Sequence, residues 1–204
     1  MSIQKRNNSP AGNTCDKYHS KNPLYKYLVA SFLASLKALL KGLPDAKSLL
    51  DVGCGEGYVM NHIEETKLFK RLEGVDVSEE IIEKARSLYP HLNLKAASAH
   101  SLPYSEKKFD VICMCEVLEH LEDYEKAIHE AKRVARKYVI ISVPVEPMWR
   151  IFNIMRGKYI FSGGNTPGHV QHWGKREFKK LLEKHFSVKT ILYPLPWQIA
   201  LCEL

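Results

Sequence analysis

Short apolar runs recur along the first 143 residues: KSLLDV (47–52), RLEGVDV (71–77), LNLKAA (92–97), FDVICMC (109–115) and KYVIISV (137–143). Each is bounded by polar or turn residues and is too short for a helix of ordinary length, so each reads as a buried strand. Between them the period changes. Residues 57–65, 79–88 and 123–136 carry apolar positions at helical spacing, including Ile128, Ala131, Val134 and Ala135, and the second opens on Ser78 with Glu79 and Glu80 in its first turn. Strands that alternate with helices in this way predict a parallel, doubly wound α/β sheet covered on both faces. Ahead of them a long helix, about 22–41 with Leu24, Tyr27, Leu28, Phe32, Leu36, Leu39 and Leu40 on one side, is expected to pack over the core.

The last quarter breaks the alternation. Residues 146–173 mix aromatic and basic side chains with a Gly-Gly and a Pro-Gly, and read as an insertion after the fifth strand that covers a site. A helix over about 174–185 follows. Two further apolar runs separated by PLPW then predict an antiparallel hairpin, because a parallel pair needs a longer crossover.

Composition narrows the classes. With 204 residues, 45% hydrophobic and 26% charged, the chain fits one globular domain. No apolar run is read as approaching the roughly 18–20 residues that span a bilayer, and the polar start has no signal-peptide core, so a cytoplasmic protein is expected. Five scattered cysteines fit reduced thiols; Cys113 and Cys115 share one strand face, but no second Cys/His pair accompanies them as a zinc site requires. The net charge of +7 is spread over most of the predicted helices, without the basic, aromatic-interleaved stripe of a nucleic-acid channel. A small-molecule substrate is expected and nucleic acid is not; the oligomeric state stays open.

Candidate chemistry begins at LLDVGCGEGYVM (49–60). Closely spaced glycines between a strand and a helix let backbone approach a ligand, and the helix N-terminus offers free N–H groups. The dinucleotide fingerprint is only approximated, since Tyr58 stands where it wants a small residue. Asp51, at the strand tip, would repel a pyrophosphate and favours a ligand bearing an ammonium or sulfonium. Asp76, about 20 residues past the glycines at the end of the second strand, suits both ribose hydroxyls of a nucleoside.

In that order LLDVGCGEGYV, GVDVSEEIIEKAR, AASAHSLPYSEKKFDVICMCEVLEHLED and KYVIISVP resemble the successive motifs of class I S-adenosylmethionine-dependent methyltransferases. The resemblance covers about residues 16–204 as a single domain, behind an N-terminal segment of about 1–15 expected to be mobile. It implies a Rossmann-like seven-stranded sheet of order 3-2-1-4-5-7-6 with strand 7 antiparallel, and S-adenosylmethionine as cofactor. It further implies that Asp51 lies near the methionine amino group, that Gly53, Cys54, Gly55 and Gly57 bring backbone against the cofactor, and that Asp76 and Val77 take the ribose side. Ser98 and Ala99 occupy the place of an adenine contact, Glu116 borders the cofactor, and Tyr18 closes over it.

Three places are candidates on the acceptor side. Glu116, Glu119 and His120 form Glu-x-x-Glu-His after the fourth strand; the favoured reading is a loop that positions the cofactor, and the alternative is a divalent metal site or a base at His120. Similar segments in ubiquinone-pathway and small-RNA O-methyltransferases imply metal ligands. His169 and His172 in PGHVQHW are further catalytic candidates, able to complete such a shell. Residues 146–161, aromatic and basic, suggest a lipid-linked or aromatic acceptor or peripheral membrane contact. A methyl transfer by in-line displacement is the leading function. An RNA methyltransferase, an NAD(P)-dependent oxidoreductase and a non-catalytic cofactor-binding protein are the alternatives.

Overall fold

The computed structural model describes residues 22–43, 45–155, 157 and 159–204; Tyr18 and the segment 1–15 lie outside them. Seven strands, β1 (Ser48–Val52), β2 (Arg71–Asp76), β3 (Asn93–Ala96), β4 (Phe109–Cys115), β5 (Ala135–Pro144), β6 (Ser187–Leu192) and β7 (Trp197–Glu203), form one sheet in the order β3-β2-β1-β4-β5-β7-β6. The first five are mutually parallel, and β7 runs antiparallel to both β5 and β6. The expected order and the terminal hairpin are both present.

Alternation within the strands explains why the runs are apolar throughout. Leu50, Ile112, Met114, Val139, Ile141 and Ala200 point to one face, under Ile128, Ala131 and Val134 of α4 (Tyr124–Val134) and Phe178 and Leu182 of α6 (Lys175–Glu183). Their neighbours Leu49, Val111, Cys113, Ile140 and Ile199 point to the other face, under α1 (Pro23–Lys41) and α2 (Tyr58–Glu65). With helices on both faces, neither set of side chains can be polar. α3 (Glu79–Leu88) closes a smaller cluster beside β3, built on Cys54, Met60, Ile82, Ala85, Leu92 and Leu94.

Three expectations need correcting. α1 buries Leu28, Val29, Phe32, Leu33, Leu36, Leu39 and Leu40, but its first turn projects past the sheet and leaves Leu24 and Tyr27 exposed. At 19 residues with mean hydropathy 1.2, α1 is also long and apolar enough by composition to cross a membrane, contrary to the reading that no run was; 39% of that window is buried inside the fold. The helix expected over 123–136, α4, stops at Val134, and Ala135 already pairs with Phe109 as the first residue of β5. The insertion, as expected not a plain crossover, holds a helix that the sequence did not place, α5 (Met148–Met155), followed by a 3-10 turn at Ile160–Ser162.

α5 turns Trp149, Phe152 and Asn153 inward and leaves Ile151, Ile154 and Met155 exposed. A buried amide must find partners, and Asn153 Nδ2 donates to the Gly164 carbonyl at 2.8 Å and to Thr166 Oγ1 at 3.1 Å. Gly164 itself has φ +79°, and a Cβ there would sit on the Arg150 carbonyl oxygen. A Gly164→Ala substitution therefore faces left-handed backbone strain of about 1–2 kcal/mol and a backbone clash of about 1–3 kcal/mol. Hydrogen exchange of the variant should accelerate across 146–173 and stay at parent rates in β1, β4 and β5. Unchanged protection of the insertion would contradict this account.

Candidate active site

β1 delivers the chain to the carboxyl edge of the sheet, where Gly53, Gly55 and Gly57 all have positive φ, at 74°, 54° and 80°. The amides of Gly53 and Cys54 both donate to the Val75 carbonyl, at 2.7 and 2.9 Å, which folds the turn back over β2. The three glycines serve different ends. A Cβ on Gly53 would lie 2.5 Å from Val117 Cγ2, and one on Gly57 would lie 3.3 Å from Leu92 and Tyr89 side-chain carbons. A Cβ on Gly55 would meet nothing within 4 Å among the described residues. Gly53 and Gly57 thus allow close internal packing, whereas Gly55 faces the space a ligand would fill.

Two carboxylates flank that space. Asp76 accepts from the Gly55 amide at 3.0 Å and from the Ser78 amide at 3.1 Å, so it fixes the glycine turn and the start of α3 together. Val77 beside it is 69% exposed, an apolar surface next to the carboxylate. Asp51 is only 2% exposed, and burial, assisted by the charge of Asp76, raises its pKa to about 7. The same burial, with both aspartates, pushes the Cys54 thiol far up, so it stays protonated and serves packing. Across the site, Ser98 Oγ accepts from the His100 amide at 3.2 Å and Ala97 N donates to the Asp76 carbonyl, which brings Ser98 and Ala99 to the edge beside β2.

A buried carboxyl at pKa about 7 predicts a pH-dependent site. For the ligand-free protein the group is raised above its ordinary 3.8, so its contribution to stability is fully present below that value and is lost as pH climbs to about 7. A cationic ligand favours the charged form instead. Its affinity should fall about tenfold per unit as pH drops below about 7, because binding must then expel one proton. Titration calorimetry from pH 5.5 to 8 measures the slope, and Asp51→Asn should flatten it; an equal slope in that variant would place the titrating group elsewhere.

The acceptor side is built from β4 outward. Glu116, just past the strand, has φ 61°, a conformation costly to a residue with a side chain and one that gathers at functional sites. The 3-10 turn Leu118–His120 follows, with Glu119 at 1% exposure. Onto this turn the end of the insertion docks: the amides of Val170 and Gln171 both donate to the Glu119 carbonyl, at 2.8 and 3.1 Å. His120 Nδ1 lies 3.0 Å from the Gly168 carbonyl oxygen, an acceptor only, so Nδ1 carries a hydrogen and donates it there. His169, 8% exposed, meets His120 edge-to-face at 4.8 Å between ring centroids and lies at 17° to the Trp149 ring, 6.2 Å away. One ligand atom each of Glu119, His120 and His169 falls within 4.8 Å of the others.

Of the two histidines expected as able to complete the shell, the structure brings His169 to the Glu119–His120 pair and leaves Glu116 outside that trio. His172 points elsewhere: its Nδ1 is 3.5 Å from Glu146 Oε1, whose carboxyl burial lifts above the usual range while His172 holds it back. Glu146 was not singled out by sequence, whereas Trp149 is expected among the aromatic residues of the insertion that line a pocket; the structure adds its stack on His169.

Comparison with known proteins follows from this geometry. Residues 50–142 match the family model described as a methyltransferase domain. A probable S-adenosylmethionine-dependent methyltransferase of Mycolicibacterium smegmatis is 27% identical over 143 residues, covering 67% of this chain and 50% of its own length, so the chain spans half of that relative. The solved methyltransferase domain of a bacterial CtHen1 superposes with TM-score 0.67 at 25% identity, over 87% of this chain and all of that one. Magnesium protoporphyrin IX methyltransferase from Synechocystis PCC 6803, solved with bound SAH, superposes with TM-score 0.63 at 16% identity, over 90% and 88% of the two chains. The dinucleotide-dependent oxidoreductase alternative falls to these matches and to the buried carboxylate at Asp51.

Proposed function

We propose, for a chain that belongs to the class I S-adenosylmethionine-dependent methyltransferases, a methyl transfer to a hydroxyl held at the Glu119–His120–His169 cluster. S-adenosylmethionine is the cofactor, and it supplies a methyl group on a sulfonium that carries its own leaving group. The residues present suit it: Asp51 answers the ammonium, Asp76 the ribose hydroxyls, and the open side of Gly55 admits the ligand against backbone. These three assignments are part of the proposal.

The observation that carries the hydroxyl acceptor is the convergence of one carboxylate and two imidazoles on one spot, with His120 Nδ1 committed to a carbonyl. That donor set fits a divalent ion, which when bound would lower the pKa of a coordinated hydroxyl and orient it. His120 and His169 also offer the protein's own route for the proton leaving the acceptor. Trp149, stacked on His169, gives a planar apolar wall for an aromatic acceptor. Ile151, Ile154, Met155, Ile160 and Phe161 stand exposed on the same insertion, which supports an acceptor with an apolar tail or one presented at a lipid surface.

The test is transfer of labelled methyl from S-adenosylmethionine to four acceptors: a catechol, a tailed catechol, a primary amine and an RNA oligonucleotide. Each is run with and without chelator and with Mn²⁺ or Co²⁺ restored. Labelling of the catechols, strongest for the tailed one and lost on chelation, is expected. Labelling of the amine that ignores chelator would remove the metal and hydroxyl reading, and labelling of the oligonucleotide alone would replace the small-molecule one. Intact cofactor binding with no labelled product would leave a cofactor-binding protein.

A further inference from the structure

A second group of ligating side chains lies outside the site, on α4 and the turn after α6. Glu125 and His129 stand one helical turn apart, so both project from the same side of α4. His185, between α6 and β6, reaches back to them: its Nε2 is 2.7 Å from Glu125 Oε2, and its ring meets His129 edge-to-face at 5.4 Å between centroids. One ligand atom of each residue lies within 4.8 Å of the other two. The His185 side chain is only 11% exposed, and although Nε2 is close to the carboxylate it lacks the alignment of a hydrogen bond and has none among the described residues.

We infer that Glu125, His129 and His185 form a zinc site that clasps α4 to the α6–β6 turn. Two imidazoles and one carboxylate are a borderline-soft set that suits Zn²⁺ and disfavours Mg²⁺ or Ca²⁺, which prefer oxygen ligands. Tetrahedral zinc with bonds of about 2.0–2.1 Å separates its ligand atoms by roughly 3.3 Å. Against that separation the Glu125–His185 contact need open only slightly from 2.7 Å, and the exposed His129 need close from no more than 4.8 Å. A fourth position is left for water, since Glu125 is 41% exposed. The nearby cation is already turned away: Lys132 Nζ donates to the His185 carbonyl at 2.8 Å and lies over the Phe186 ring.

The site has a mechanical consequence. α6 follows the insertion that carries His169 and His172, and Trp173 at its start already packs edge-to-face on Tyr124 at the start of α4. A zinc clasp would add a second tie between the same two parts of the fold. It stands independently of the methyl-transfer proposal, because it is read by metal binding alone.

Equilibrium dialysis with Zn²⁺ tests it on the full chain without S-adenosylmethionine, in a His120→Ala/His169→Ala background that removes the other cluster. That protein is expected to hold one zinc per chain and to melt at a higher temperature with zinc present. Adding His129→Ala and His185→Gln should weaken binding at least about tenfold, since even residues one step removed from a metal cost that much. His129 is exposed, and the glutamine keeps an uncharged polar group beside the Glu125 carboxylate, so the zinc-free melting temperature should stay near that of the background. Absence of zinc binding in the background protein, or undiminished binding after the two added substitutions, would overturn the site.

Discussion

Titration of Asp76→Ala with S-adenosylmethionine should return an affinity at least about a hundredfold weaker than that of the parent chain. A carboxylate that accepts from both ribose hydroxyls makes two charge-assisted hydrogen bonds of about 1.5–3 kcal/mol each, and 2.7 kcal/mol or so already corresponds to a factor of a hundred. The free protein loses something as well, because the Gly55 and Ser78 amides are left without the acceptor that ties the glycine turn to α3. Asp76→Asn keeps one acceptor oxygen and should fall between, about tenfold weaker. The aspartate sits at a strand end rather than in the core, so the melting temperature should move by only a few degrees. An alanine variant within threefold of the parent would mean that the ribose is held elsewhere.

Replacing His120 with asparagine should lower kcat by about 10² to 10⁴ while cofactor affinity stays within twofold. The choice of asparagine matters. Its amide can donate to the Gly168 carbonyl as His120 Nδ1 does, so the insertion stays docked, but nothing replaces Nε2 beside Glu119 and His169. If the histidine only pins the loop, the variant will retain near-parent turnover; if it handles a proton or a ligand, turnover will fail although the loop remains in place. Hydrogen exchange at Val170 and Gln171, whose amides donate to the Glu119 carbonyl, reports the docking separately.

The sheet was legible because its physics is local and repetitive. Runs such as SLLDV and FDVICMC are apolar on both faces, the glycine turn marks the carboxyl edge, and the final hairpin follows from the shortness of its connection. The positions of Asp51 and Asp76 at the carboxyl ends of β1 and β2 were legible for the same reason. α5 was missed because its outward face is the more apolar one: Ile151, Ile154 and Met155 are exposed while Asn153 is buried, which inverts the amphipathic signal. The start of β5 was missed because Ala135 suits a helix as well as a strand, and only pairing with Phe109 decides. That His169 and not His172 meets His120 had no signal in spacing. It depends on two amides and one carbonyl that any sequence carries.

Those main-chain bonds separate the two halves of the site in a way that bears on engineering. Cofactor candidates end with β4 and its loop, whereas the insertion is tied to that loop at the Glu119 carbonyl by groups that every residue except proline provides. A segment of equal length and different composition could be grafted between β5 and α6 and still dock, provided that position 164 keeps its glycine and position 169 its imidazole. On the proposed function, acceptor preference would then be open to redesign by exchanging one stretch of chain, with the glycine turn and both aspartates left as they are.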